Sequence, residues 1–463
     1  MRSGGLCAAL TPESIDDVFS QDVDGADLIE VRLDYLKDPE QANHVRWDRL
    51  PVPVIATCRS TRFGGKFQGT LDEEYAILET ASRNGARFVD IDYRHARAFG
   101  SAEVIASYHD FEGTPRNLES ILEQACAAHG HIGKIATQVN SWSDNRRLLE
   151  SLTKQWPKPV IVAGMGDLGQ ITRIVGPSRG SFLSYASTGS LNGSAPGQVN
   201  LQQMLRDYKY RRVKKSTALI GILGMPVGHS QSHILHNRAF EARSLDFAYM
   251  KFPANDVQDF FDNARQCGIS GFSVTIPHKI TVIPFLECIT PEAKRIGAVN
   301  TVSISSETSA GWSGDNTDAY GVHMALSSAG FDPHGKRITI MGRGGGAKAA
   351  VAAVNGAREV KVFPRGEIAE ANQTDSDLLI NATPVGMYPN VDASPIEGVI
   401  RAGTVFDMVY NPPTTKLLQT AASQGKAIIR GTTMFAAQAA RQFEIWTGQP
   451  APLDIYRADW RTS

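Results

Sequence analysis

The sequence carries no excess charge of either sign: 47 Lys and Arg stand against 48 Asp and Glu, a formal net charge of -1. Such a chain has no field to steer nucleic acid or an anionic membrane surface, so small-molecule chemistry is the expectation, with neither nucleic acid nor membrane as partner. Paired cysteines are lacking as well. The five present, Cys7, Cys58, Cys126, Cys267 and Cys288, are odd in number and form no CxxC pair. That argues against a disulfide framework and fits free thiols in a reducing compartment. No apolar run approaches membrane-spanning length. The opening MRSGGLCAALTPES has neither a signal-peptide core nor an Arg/Ser-rich transit segment. A soluble, cytoplasmic protein is the expectation.

What the sequence does hold is length and recurrent short apolar runs. At 463 residues and 42% hydrophobic content, two or three folded domains are expected. Eight runs recur over residues 1–190: GLCAAL, DLIEVRL, VPVIATC, RFVDIDY, EVIASYH, HIGKIAT, PVIVAGM and SFLSYA. Most are separated by segments with helical spacing, such as LDEEYAILETASRNG and NRRLLESLTKQW. The alternation predicts a parallel sheet and a compact (β/α)8 barrel whose chemistry sits at the C-terminal ends of the strands.

The sixth run is odd. HIGKIATQ (131–138) places Lys134 on the same strand face as Ile132 and Ala136. Either its stem lies on apolar surface while its head reaches water, or it is a desolvated amine able to attack a carbonyl. Its neighbours bear on the choice. Glu30, Arg32 and Asp34 lie at the end of the second run, Arg59 follows the third, and His109 and Asp110 end the fifth. Arg173 follows the seventh, and the Gly-rich TGSLNGSAPGQ (188–198) follows the eighth. A Schiff-base lysine, a histidine for proton transfer and arginines for a carboxylate are the parts of a carbonyl-activating lyase. The plain alternatives are a core histidine at a strand end for His109 and a surface charge for Arg173.

After Gln198 comes a last helix running into a basic stretch at 209–217, read as a linker with a solvated face. A new α/β pattern begins at ALIGILGMPVG. In it, RITIMGRGGGAKAAVAAV (337–354) reads as strand, glycine turn and helix. Gly342, Gly344 and Gly345 allow a tight turn and close approach of a pyrophosphate to the helix N-terminus. The next strand ends Val362, Phe363, Pro364 without the carboxylate of an NAD-selective site. Arg365 follows, able to bind a 2′-phosphate, with Glu367 as the competing candidate for a ribose contact.

Taken together, EVRLD (30–34), SYHDF (107–111), GKIAT (133–137), GMGDLGQITR (164–173) and SAPGQ (194–198) resemble the type I 3-dehydroquinate dehydratases. The second half resembles the shikimate dehydrogenases through GMPVGHSQSHILHN (224–237), GFSVTIPHK (271–279), IGAVNT (296–301), GDNTDAYG (314–321), INATPVGM (380–387), FDMVYNPPTT (406–415) and MFAAQAARQFEIWTG (434–448). The tandem order resembles the bifunctional dehydratase/dehydrogenase of the shikimate pathway. The resemblance implies a barrel over residues 1–208, the linker 209–217, a substrate-binding domain over 218–320, a Rossmann-like NADP-binding domain over 321–432, and a segment 433–463 returning to the substrate-binding domain.

The resemblance also implies roles. Lys134 forms an imine with the C3 ketone of 3-dehydroquinate, and His109 removes the adjacent proton and assists loss of the C1 hydroxyl as water. Glu30, Arg32 and Arg59 hold the substrate, Arg173 its carboxylate, and Ser194 with Gln198 close over it. In the second half Ser230 and Ser232 take the shikimate carboxylate. Thr275, Asn300, Asp318, Tyr410 and Gln438 contact its hydroxyls and ring, and Lys279 with Asp318 forms the catalytic pair, a structural salt bridge being the alternative. NADP(H) is the implied cofactor, with Gly342, Gly344, Gly345, Gly346, Ala347, Arg365, Asn381, Thr383, Met408 and Gly431 around it. No metal is expected, although His229, His233 and His236 share a helical spacing that raises a zinc reading.

Four positions depart from the family pattern. Phe63 stands where many members have a glutamate that orients the histidine, which leaves Asp110 or Glu30 for that task. His233 stands where proline is common, at the helix start beside the two serines. Pro364 and Gly366 replace the Asn and Thr that often flank the arginine. Two other readings remain open: a second half that prefers quinate, and a ligand-sensing regulator that kept both folds without catalysis.

Overall fold

The structure is a computed structural model, and it describes residues 4–189, 195–304 and 311–457. The chain divides into two compact units: Met1–Leu219 with Asp246–Ile269, and Ile220–Leu245 with Ser270–Ser463.

In the first unit each of the eight apolar runs is a strand: β1 (Gly5–Leu10), β2 (Leu28–Arg32), β3 (Val54–Thr57), β4 (Phe88–Asp92), β5 (Glu103–Asp110), β6 (Ile132–Gln138), β7 (Val160–Met165) and β8 (Leu183–Ser187). They form one parallel sheet in the order β7-β6-β5-β4-β3-β2-β1-β8. The remaining seam is spanned by a parallel bridge between Val160 and Ser181 and by Phe182 N–H donating to Val160 O at 2.7 Å. The result is a nearly closed barrel. Alternation decides what each residue does. Leu28, Ile55, Phe88, Ile105, Ile132, Ile161 and Leu183 fill the interior, together with Tyr185. Gly133 faces outward, where a Cβ would stand 2.8 Å from Cys126 Sγ on the helix Leu118–Ala127. Lys134 therefore points inward.

The helix Leu71–Arg83 starts at Thr70, whose hydroxyl accepts from Glu73 N–H while the Glu73 carboxylate accepts from Thr70 N–H at 2.7 Å. In the basic stretch Tyr210 is buried and its hydroxyl donates to Gly5 O at 3.1 Å, and Arg211 pairs with Asp27 at 2.7 Å. The segment 246–269 supplies β10 (Phe247–Pro253) and the helix Val257–Ala264. That helix lies against Trp142–Ser151: Arg146 Nε donates to Asn263 Oδ1 at 2.8 Å, and the Trp142 indole donates to Pro253 O at 3.0 Å.

The second unit holds a mixed sheet in which β9 (Ala218–Gly224), β11 (Ile269–Val274), β13 (Thr301–Ile304), β14 (Trp312–Asp315) and β12 (Cys288–Ile289) follow in that order. After the helix Asp318–Ser328 comes a parallel five-stranded sheet, β16-β15-β17-β18-β19, built from β15 (Arg337–Met341), β16 (Glu359–Phe363), β17 (Ser376–Asn381), β18 (Ala402–Asp407) and β19 (Ala427–Arg430). This is a doubly wound order, and its direction reverses between β15 and β17, where such sheets bind ligands. The core beneath it comprises Ile338, Ile340, Leu378, Ile380 and Phe406 with Ala347 and Ala350 of the helix Gly345–Ala353. No helix among the described residues is long and apolar enough to cross a membrane.

Candidate functional sites

The barrel gathers its polar residues where the strands end. Lys134 is 4% exposed, and its Nζ donates to Asp90 Oδ2 at 2.7 Å and to the Tyr185 hydroxyl at 2.9 Å. Glu30 Oε1 lies 3.8 Å away and itself accepts from Thr57 Oγ1 at 3.0 Å. The other Asp90 oxygen accepts from Arg59 Nη2 at 3.0 Å and from Ser107 Oγ at 2.8 Å. Burial alone would raise the Asp90 carboxyl, but the Lys134 and Arg59 charges outweigh it and hold the group well below the usual carboxylate range. A lysine with two acceptors and one phenol around it does not reach water by its head, so the snorkelling alternative falls.

His109 stands on β5 beside β6, whose register pairs Ser107 with Lys134 and His109 with Ala136. Its side chain thus lies on the inward face, one layer nearer the mouth than Lys134. Burial, followed by the charges of Arg59 and Lys134, lowers its pKa well below the usual value. A neutral imidazole at working pH is a base. The orienting partner expected in Asp110 or Glu30 is not found: among the described residues neither ring nitrogen makes a hydrogen bond. Asp110 follows His109 on the strand and so faces outward, where it accepts from Tyr108 OH at 3.1 Å and from the amides of Glu112 and Gly113. Phe63 packs at the rim instead, under Arg94 and beside His95.

Arg173, in the helix Gln170–Val175, is 3% exposed, which removes the surface-charge alternative. Nε donates to Gly164 O at 2.9 Å, and no hydrogen bond from its Nη groups is made among the described residues. Burial pushes its pKa down to about 10, opposed by Tyr185 and Glu30, so it keeps its charge. Arg32 also lines the cavity, but its fork is closed on Asp34 by bonds of 2.8 and 2.7 Å. Gln198 lines the cavity too, and Ser194 lies outside the described residues. Asp90, Ser107 and Tyr185 were missed from the sequence. Asp90 carried the same signal as Lys134, a charge on the inward face of a buried run.

In the second unit a cavity of about 170 Å³ is lined by Ser232, Thr275, Lys279, Asn300, Asp318, Tyr410 and Gln438 among others. The Lys279 ammonium pairs with Asp318 Oδ2, and Asn300 Nδ2 donates to Asp318 Oδ1 at 2.9 Å. Asn300 is held in turn: its Oδ1 accepts from Thr317 N–H at 2.8 Å and from Thr301 Oγ1 at 2.7 Å, and Gln442 Nε2 grips its backbone carbonyl at 3.1 Å. Asn316 Oδ1 accepts from Asp318 N–H at 3.0 Å, fixing the helix start that carries the carboxylate. Asn316, Thr317 and Gln442 were not singled out in the sequence. Ser230 Oγ and Ser232 Oγ are 3.3 Å apart, with Ser230 behind the lining. Tyr410 stacks on Phe435 at 4.1 Å, and burial, opposed by a bond with Ser230, pushes its phenol up to about 12. The helix Ser232–Ala242 begins at these serines, and His233 in its first turn is buried. His236 is a core side chain within hydrogen-bonding distance of Tyr456 OH at 3.0 Å, and burial pushes its pKa down to about 3. Among the described residues no three His, Cys, Asp or Glu side chains gather as metal ligands.

The turn after β15 fits a dinucleotide. Gly342 takes φ +117°, which a side chain would resist, and a Cβ at Gly344 would meet nothing within 4 Å. A Cβ at Gly345 would stand 2.9 Å from Lys279 Cδ, and one at Gly346 would stand 3.4 Å from Met408 Cε. The helix starting at Gly345 has no side-chain cap, so the amides of its first turn, Ala347 included, face an open cradle beside Lys279. Gly431 starts the helix Gly431–Thr447 against the carbonyls of Met408 and Val409. Asn381 is fully buried, donating to Asp407 Oδ1 at 2.9 Å and accepting from the Thr383 hydroxyl at 2.7 Å, so both side chains brace the loop from within. Burial raises Asp407 to about 6 against the bonds it accepts from Thr415, Val409 and Asn381. Arg365 is exposed just past β16, and among the described residues it makes no ion pair.

These features define a two-site enzyme: a barrel with an interior amine beside a neutral histidine, and a doubly wound oxidoreductase with a lysine–aspartate pair against its nucleotide turn. Residues 7–215 match the family model of type I 3-dehydroquinase, 222–302 that of the shikimate dehydrogenase substrate binding domain, and 431–458 that of the shikimate 5′-dehydrogenase C-terminal domain. The chain is 32% identical to the chloroplastic bifunctional 3-dehydroquinate dehydratase/shikimate dehydrogenase of Arabidopsis thaliana, over 97% of this chain and 83% of that protein. It is 38% identical to the shikimate dehydrogenase (NADP(+)) of Citrifermentans bemidjiense, over 51% of this chain and 92% of that protein. A crystal structure of a shikimate dehydrogenase with NADP+ aligns with a TM-score of 0.48 at 33% identity, covering 53% of this chain and 94% of that one. The chain belongs to the family of bifunctional 3-dehydroquinate dehydratase/shikimate dehydrogenases.

Proposed function

We propose that Lys134 is the amine that turns 3-dehydroquinate into 3-dehydroshikimate, and that Lys279 with Asp318 then serves reduction of that product to shikimate. In the barrel the amine replaces the C3 oxygen by an iminium nitrogen. The electron-poor C=N bond acidifies the neighbouring carbon, and neutral His109 takes its proton. The C1 hydroxyl then leaves as water with a proton returned from His109, and hydrolysis frees the lysine. Arg173, which lines the cavity and makes no hydrogen bond from its Nη groups among the described residues, holds the substrate carboxylate. Asp90 fixes Lys134 through one oxygen and Arg59 through the other.

In the second unit NADPH supplies the hydride when bound. Lys279 donates the proton to the carbonyl oxygen that becomes the hydroxyl, and Asp318, fixed by Asn300 and Asn316, holds the ammonium in place. Ser230 and Ser232 receive the carboxylate. The observation that carries the reading is the buried Lys134 with its bonds to Asp90 and Tyr185, beside a histidine kept neutral. Near-zero net charge supports small-molecule substrates rather than nucleic acid, and five free cysteines support a reducing compartment, the cytoplasm.

The test is to incubate the protein with 3-dehydroquinate and NADPH and to follow both products. Shikimate is expected. Borohydride added during turnover should leave its adduct on Lys134, while Lys279→Ala should abolish reduction and spare dehydration. An adduct on another lysine would overturn the dehydratase assignment, and no turnover of either step would favour a sensing role.

A further inference from the structure

We propose that the Tyr185 phenol is a catalytic proton relay for the carbon–nitrogen steps at Lys134, separate from the carbon-acid step served by His109. The proposal rests on Lys134 being the imine-forming amine. Tyr185 comes from β8, is 4% exposed, and faces Lys134 twice over: its oxygen lies 2.9 Å from Nζ, and Nζ sits 4.2 Å from the centre of its ring. The other polar neighbours of that nitrogen, Asp90 at 2.7 Å and Glu30 at 3.8 Å, are carboxylates. Asp90 is held ionised by the lysine and by Arg59. Among the described residues, His109 makes no hydrogen bond to the lysine. The phenol is therefore the neutral proton donor in contact with the reacting nitrogen. Burial, followed by the charges of Glu30 and Asp90, raises its pKa well above the ordinary phenol value, so the resting group carries its proton.

The chemistry at nitrogen needs such a group. Lys134 first releases one ammonium proton to solvent through the cavity mouth; its neutral amine then adds to the C3 carbonyl, and the new N–C bond leaves a second proton to be lost from nitrogen and an electron pair on oxygen to be protonated. Tyr185 gives its proton to that oxygen and takes the one from nitrogen, so a neutral carbinolamine forms and the phenol is restored. In the next step the C3–O bond breaks and the nitrogen lone pair closes the C=N bond. The departing hydroxyl takes the phenolic proton and leaves as water, and the phenolate stands beside the iminium it balances. Hydrolysis of the product iminium runs the same sequence backwards and returns the proton.

Tyr185→Phe keeps the ring and removes the hydroxyl. A relay predicts that kcat for dehydration falls tenfold or more while KM changes little. The Lys134 adduct trapped by borohydride in a single turnover should form correspondingly slowly. Imine formation then limits the rate, so the kinetic isotope effect of a substrate deuterated at the abstracted C–H should shrink relative to the parent enzyme. Reduction of 3-dehydroshikimate by the same preparation should be unchanged, which reports an intact fold. A fluorotyrosine at 185 keeps the shape with a more acidic phenol and should also shift the trapping rate. If both substitutions leave the adduct forming at the parent rate, Tyr185 only fills space and the relay is overturned. If the parent enzyme itself gives no adduct on Lys134, it is the underlying lysine assignment that fails.

Discussion

The Asp90 carboxylate lies 2.7 Å from the Lys134 ammonium, with side-chain exposures of 0% and 5%. An ion pair this deep is held by geometry, and removing one partner leaves a cation without compensation. Asp90→Asn strips the counter-charge from Lys134 and from Arg59 together. The expected result is a loss of about 3 kcal/mol in unfolding free energy, the lower end for a broken buried pair, with dehydratase activity falling at least tenfold. Urea unfolding of the barrel and initial rates decide it. A variant as stable and active as the parent would show that Glu30 alone suffices for both cations.

The neutral state of His109 has a pH signature. Burial, Arg59 and Lys134 all oppose its protonation, so its folded pKa lies below the unfolded value of about 6.5. Between those two values the unfolded chain binds the extra proton, so this histidine costs stability as pH falls through that window, and the cost is absent above it. With His109 as the proposed base, the same shift keeps it competent in mild acid. The acid limb of kcat/KM for dehydration should therefore break below pH 6.5. A break above that value would mean that the Asp90 carboxylate outweighs burial and the two cations at this histidine.

Asp259 completes a helix it does not belong to. Its two oxygens accept from the backbone amides of Trp142 and Ser143, the latter at 3.2 Å, in the first turn of Trp142–Ser151. These are donors that a helix start leaves unsatisfied. Asp259→Ala should cost about 1 kcal/mol and speed hydrogen exchange at both amides. Asp259→Asn should restore part of the protection. Unchanged exchange in the alanine variant would mean water caps the turn equally well.

The strands of the barrel were legible because alternation writes the buried face directly into the sequence, and the eight runs became β1 to β8. Lys134 was legible for the same reason, as a charge out of place. Asp90 was equally out of place, yet its meaning lies in Lys134, which is 44 residues away in sequence and reached across β5. Nothing within RFVDIDY names that partner. The rejection of Asp110 was also available in principle, since a residue next to an inward histidine on a strand faces out. Thr383 and Asn381 are two residues apart, yet only the fold shows that Asp407 closes their network. That residues 246–269 cluster with the barrel was not legible at all, because periodicity says which face is apolar and not what covers it.

Selectivity for NADPH tests the nucleotide turn. In the parallel register of β15 and β16, Met341 pairs with Phe363, and Gly342 N–H donates to Phe363 O at 2.8 Å. The first glycine and the residues just past Phe363 thus stand side by side at the sheet edge where the adenosine ribose of a bound dinucleotide lies. Arg365 occupies this edge, exposed and without an ion pair among the described residues, and β16 ends with no acid to repel a 2′-phosphate. Glu367 follows in the same turn but on an exposed position. A guanidinium binds a phosphate through two charge-assisted bonds, and removing such a contact lowers affinity about ten- to a hundredfold. Arg365→Ala should therefore raise the KM for NADPH by about that factor and leave the KM for NADH nearly unchanged. It should also weaken 2′,5′-ADP, measured directly by calorimetry, while 5′-AMP binds as before. Because Pro364 and Gly366 offer no side-chain donors, Arg365 carries the preference alone from this turn, so the alanine variant should use both cofactors with similar efficiency. If the parent enzyme already uses NADH as well as NADPH, or if both KM values rise together, the arginine supports the loop and does not read the phosphate.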